Sequence, residues 1–114
     1  MNNPERIKHI AFADGNVKKA FDALKSGRTE EQELLKFIER AIKDLKDNPF
    51  CGIRIPSKFW PKEYVRKYRV ENLLKYDMPN AWRLIYTVRG TELEIISILI
   101  EWFNHKEYER RFGY

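Results

Sequence analysis

The sequence predicts an α+β domain: a first strand and a two-helix hairpin packed on a small antiparallel sheet, closed by a short C-terminal helix. Three observations carry this. Apolar residues recur at helical spacing between positions 17 and 45. The segment "AWRLIYTV" alternates, with Trp82, Leu84, Tyr86 and Val88 on one face and Arg83, Ile85 and Thr87 on the other. The longest apolar run, "IISILIEWF", follows it after a tight turn.

Taken in order, "RIKHIAFAD" reads as a strand whose apolar members are Ile7, Ile10 and Phe12. Asp14 or Asn16 can cap a first helix. Val17, Ala20, Phe21 and Leu24 form its stripe, and Gly27 ends it. "TEEQ" reads as a capping box in which Thr29 and Gln32 start a second helix. Its stripe is Leu34, Ile38, Ala41 and Leu45, widened by Leu35, Phe37 and Ile42, and Pro49 stops it. Pro56 and Pro61 break "CGIRIPSKFWPKEYVRKY", so a loop with a turn or two of helix is expected there. "RVENLLKYDM" reads as a strand, "PN" as a turn and "RGTE" as a hairpin turn into the last strand.

That last strand offers two apolar faces. Ile96, Ile98, Ile100 and Trp102 look the better core set, against Ile95, Ser97, Leu99 and Glu101. "NHKE" opens a short helix that Gly113 ends. Two helices can cover one face of such a sheet. The other face is then partly open, and Arg83 projects from it.

With 114 residues and no linker or repeat, the chain reads as one domain over 1–114. Nothing is long and apolar enough for a membrane span, and "MNNPERIKHIAFADG" lacks the apolar core of a secretory signal. Cys51, the lone cysteine, allows neither an internal disulfide nor a cysteine metal cluster, and reads as buried and inert. A cytoplasmic protein without a metal or other cofactor is expected. The formal charge of +5 is concentrated in one block. Between Arg54 and Lys75 stand seven basic residues and two acidic ones, and the rest of the chain balances. Such a block suits phosphate binding, its plain alternative being a solvated lysine-rich surface.

The passages "ERAIKDLKDNPFCGIRI", "AWRLIYTV" and "ELEIISILIEWFNHKEYERRF", in this order, resemble the RelE/ParE toxin superfamily over residues 30–114. In that family a helix leads through an "NP..G..I" passage to a strand bearing an "RLIY"-type motif and a basic, tyrosine-containing ending. The resemblance implies the toxin of a toxin–antitoxin pair. In its RelE branch this is a ribonuclease that cuts mRNA on the ribosome, neutralised by a small antitoxin; in its ParE branch it is a poison of gyrase.

The resemblance implies catalytic roles for Arg83, His105 and Tyr108. Lys58, Lys62, Arg66, Lys67, Lys75, Lys106, Arg110 and Arg111 are the expected RNA-binding residues. Metal-free RNA cleavage needs a base for the 2′-hydroxyl proton, a cation for the phosphate and an acid for the leaving oxygen. Each role has a structural alternative. Arg83 could pair with Glu71 or Glu94, His105 could simply begin a helix, and Tyr108 could be a core-edge aromatic. Trp60, Trp82 and Trp102 read as packing residues. The competing functions are a non-cutting relative that binds a protein partner and a plain RNA-binding domain.

Overall fold

The computed structural model describes residues 5–113. Met1–Pro4, part of the stretch read for a leader, and Tyr114, the last residue of the aromatic–basic ending, lie outside it. The order of elements is β1 (Ile7–Phe12), α1 (Gly15–Ala23), α2 (Thr29–Asp47), β2 (Ile53–Arg54), α3 (Lys62–Tyr68), β3 (Leu74–Asp77), β4 (Arg83–Gly90), β5 (Glu94–Phe103) and α4 (His105–Phe112). This is an α+β fold. Its single sheet has five strands in the order β1-β5-β4-β3-β2. β1 lies parallel to β5, and the other neighbours are antiparallel. The sheet is therefore mixed, because the α1–α2 hairpin carries the chain back across the sheet before the meander begins.

Local chemistry explains the element ends. Asp14 accepts a hydrogen bond from the Val17 backbone N–H at 3.0 Å and caps α1. Thr29 is not the cap of α2 but its first helical residue. Glu31 reaches back to the Arg28 N–H, and Gln32 donates to the Gly27 carbonyl instead. Asn104 caps α4 through the Glu107 N–H, and Gly113 closes it in the left-handed region at φ 73°. The strand expected from Arg69 starts only at Leu74. Arg69 takes a left-handed conformation that ends α3, and the Asn72 side chain bonds to the Val88 backbone, pinning the irregular link.

On one face of the sheet, α1 and α2 pack Leu24, Leu34, Ile38, Ala41 and Leu45 against Leu84, Tyr86, Val88, Ile95 and Leu99. The predicted stripe of α2 is buried, but it does not meet Ile96 and Ile98. A β-bulge explains the exchange. Ile85 pairs with Glu101 and Tyr86 with Leu99, so Ile100 is an extra residue in β5. Before the bulge, odd-numbered residues face the hairpin; after it, Trp102 does. Both sets are apolar for different reasons: Ile95 and Leu99 face the hairpin, Ile100 lies in the core on the opposite face, and beyond the bulge Trp102 joins the hairpin side.

The opposite face is not open. α3 and α4 cover it, and Tyr64, Val70, Leu73, Tyr108 and Phe112 pack on Ile85 and Ile100. Ile7, counted among the apolar members of β1, is largely exposed, as is Ile53 at the other sheet edge. Cys51 is exposed rather than buried. Its thiol pKa is nevertheless raised, by desolvation and by the negative charge of Asp44, which disfavours a reactive thiolate.

Candidate functional site

The "RLIY" motif occupies the start of β4, and its tyrosine locks it to the passage after α2. The Tyr86 hydroxyl donates to the Pro49 carbonyl at 2.8 Å and accepts from the Gly52 N–H at 3.0 Å. Gly52 is needed for this approach: a Cβ there would stand 2.5 Å from the Tyr86 oxygen. The "NP..G" and "RLIY" passages are thus physically one joint.

Arg83 sits at the opposite end of the motif, on the face covered by α3 and α4. Its cross-strand partners are Asp77 on β3 and Phe103 on β5. The guanidinium contacts the Asp77 carboxylate at 3.1 Å and donates to the Ala81 carbonyl at 2.8 Å. Asp77, and neither Glu71 nor Glu94, is therefore the acid beside Arg83. Lys75 lies two residues from Asp77 on the same strand face, 3.8 Å from the same carboxylate. The α4 helix lays the Tyr108 ring over both cations: Lys75 Nζ is 5.2 Å and Arg83 Cζ 5.5 Å from its centroid. Tyr108 is only 3% exposed and stacks on Phe112, so it reaches the site with its ring face.

His105 is the first residue of α4, two residues after Phe103, the strand partner of Arg83. Its side chain is exposed and pairs through Nε2 with Glu109, one turn on. Arg83, Lys75 and Tyr108 therefore form one cluster, with His105 at the solvent side of the same helix.

The remaining basic residues divide. Lys58, Lys62 and Arg66 are exposed around α3, and Lys106 on α4. Lys67 pairs with Asp14 at 3.0 Å, and Arg110 with Glu107 at 3.0 Å. Arg111 is held by both Glu63 and Glu101. A good part of the expected cationic surface is thus matched by carboxylates. The three tryptophans pack at core margins, and Trp60 also donates to the Ile55 carbonyl at 2.7 Å.

Sequence reasoning missed a second locus. β1 pairs with β5 only as far as Leu99, whereas β5 runs on to Phe103. Beyond that point, among the described residues, no strand covers that edge of β5. The gap is a cleft of about 390 Å³ between α1, α3, α4 and β5. Into it come Asp14, Glu63, Tyr64, Tyr68, Glu101, Trp102 and Arg111.

Tyr64 donates to Glu101 at 2.8 Å, and Tyr68 to Asp14 at 2.8 Å. Burial, then the Glu101 charge, pushes the Tyr64 hydroxyl far above its ordinary pKa, so it stays a donor. The Val17 N–H, the Tyr68 hydroxyl and Lys67 pull the Asp14 carboxyl down to about 2, so it stays an acceptor. One sequence signal could have found this site: Glu101 interrupts the most apolar run in the chain. Among the described residues, no three His, Cys, Asp or Glu side chains group as metal ligands would. Comparison with protein-family models, curated proteins and solved structures found no match to this chain.

Proposed function

We propose that this chain is a RelE-type toxin: a ribosome-associated endoribonuclease that cuts mRNA without a metal and is silenced by a small antitoxin. The carrying observation is the convergence of Arg83 and Lys75 on the Tyr108 ring, beside the strand end that leads into His105. In this reading the RNA 2′-hydroxyl attacks the adjacent phosphorus, the P–O5′ bond breaks, and a cyclic phosphate and a 5′-hydroxyl result. Arg83, assisted by Lys75, stabilises the negative charge that grows on the phosphate oxygens. His105, oriented by Glu109, moves the proton. Tyr108 positions the two cations. Lys58, Lys62, Arg66 and Lys106 take neighbouring phosphates, so binding weakens steeply as salt rises.

The test is induction in cells, followed by mapping of mRNA 5′ ends and by cleavage assays on programmed ribosomes in the presence of a chelator. Arg83→Ala lowers cleavage by on the order of 10²-fold or more. His105→Ala lowers it by on the order of 10²–10⁴-fold. Wild-type cutting by both variants sinks the assignment. A second reading, a relative that binds a protein partner without cutting, draws on the engagement of Arg83 by Asp77 and Ala81. It predicts no new 5′ ends with the wild-type chain.

A further inference from the structure

The cleft where β1 leaves β5 is not used by the cleavage chemistry, yet it is built unlike the rest of the surface. We infer that it binds a guanine base of single-stranded RNA, read by Glu101 and Arg111. This deepens the nuclease reading by naming the base selected, and it rests on that reading only for RNA as the source of the base.

Three observations carry the inference. The first is size: about 390 Å³ falls within the range of small-ligand sites and leaves room for one base with its sugar. The second is the pairing of opposite charges. Arg111 lies 3.5 Å from Glu101 and is also held by Glu63, so the guanidinium stands between two carboxylates on the wall and exchanges part of that pairing for the base. Guanine presents two adjacent donors, N1–H and the N2 amino group, which match one carboxylate. Its O6 and N7 are adjacent acceptors, which match one guanidinium. Adenine would turn the lone pair of N1 toward the carboxylate, and uracil offers a single N–H.

The third observation is the lining around that pair. Trp102 and Tyr68, both half-buried, supply aromatic surface, and single-stranded RNA is commonly read by stacking its bases on such rings. The backbone edge of β5 beyond Leu99 adds polar groups with no neighbouring strand among the described residues. Lys67 stands at the rim, its side chain 58% exposed and paired with Asp14 at 3.0 Å, and would turn from that carboxylate to the attached phosphate.

The cleft and the Arg83 cluster flank the same helix. Arg111 lies over the Phe103 ring, 5.9 Å from its centroid, and Phe103 is the strand partner of Arg83. A strand of RNA could therefore seat a base in the cleft while a nearby phosphate reaches Arg83.

The experiment titrates the full chain with 5′-GMP and 5′-AMP, and with short single-stranded RNAs carrying one guanine or one inosine, which lacks the N2 amino group. Calorimetry or NMR shifts give the affinities. The inference expects GMP to bind about tenfold or more tighter than AMP. It expects the guanine RNA to bind tighter than both GMP and the inosine RNA. Glu101→Gln keeps the shape and the bond to Tyr64 but should cost guanine about tenfold and level the preference. Ala20→Phe, at an exposed α1 position lining the cleft, should block binding without disturbing the core. Equal affinity for GMP and AMP, or guanine preference retained in both cleft variants, overturns the inference. GMP binding as tightly as the RNA overturns RNA as the source. A chain that selects guanine without cutting keeps this inference and loses the nuclease reading; one that cuts without selecting does the reverse.

Discussion

The two faces of the sheet are built on different principles. The hairpin face is almost purely apolar: Ile38, Ala41, Leu45, Leu84, Tyr86 and Leu99 are fully buried, and its polar contacts lie at the margins. The α3/α4 face is aromatic and charged. Tyr64, Tyr108 and Phe112 pack there beside Arg83, Lys75, Glu101 and Arg111. The first face supplies stability through area removed from water. The second holds ionised groups at the edge of a small core, where lower polarity strengthens their interactions. The lesson is a division of labour, with both candidate sites on the second face or at its edge.

Four kinds of substitution and one titration would break or sharpen this contrast. Phe112→Ala should have the largest effect, about 3–5 kcal/mol, if α4 is integral to the fold. Urea unfolding followed by two probes would show it. Loss of α4 alone, with the hairpin face still cooperative, would mean the second face opens as its own unit. Ile38→Ala should cost about 2–5 kcal/mol in the same assay, because the residue is wholly buried. A change within error would detach the hairpin from the sheet.

Tyr86→Phe should cost about 1–3 kcal/mol, since it leaves the Pro49 carbonyl and the Gly52 N–H without their partner. A neutral result would mean that water replaces the hydroxyl. Ser97→Ala tests a buried serine on the hairpin face. The hydroxyl is buried and has no hydrogen-bond partner among the described residues, so the change should be near neutral or slightly stabilising. Marked destabilisation would reveal a bond that the serine makes.

The titration concerns the acid response of Asp14. Its pKa falls from an ordinary 3.8 to about 2 in the folded chain. A depressed carboxyl stabilises fully above its unfolded pKa and loses that contribution as pH drops through the folded one. Stability should therefore decline between about pH 4 and 2, and Asp14→Asn should flatten that slope in acid titrations. An unchanged slope would show that the α1 cap and its Tyr68 and Lys67 contacts do not couple to folding.

Local patterns were legible without coordinates. The stripe of α2, the alternation in β4, the Asp14 and Asn104 caps and the Gly113 stop all follow from neighbours within a few residues, where spacing and turn chemistry decide. The order of three motifs led to Arg83, His105 and Tyr108 as one group; the fold lays the Tyr108 ring over Arg83 and Lys75 instead and leaves His105 exposed, paired with Glu109. What local pattern could not decide was which face of β5 meets the hairpin. Both alternating sets of that strand are apolar, and one bulge residue, Ile100, exchanges them in mid-strand. Nor could it seat α3 and α4 on the second face, since seven- and eight-residue helices carry too short a pattern to name their partner. The cleft is tertiary in the strictest sense. It exists because β1 ends four residues before β5 does, and its walls come from residues 14 to 111, which only the folded chain brings together.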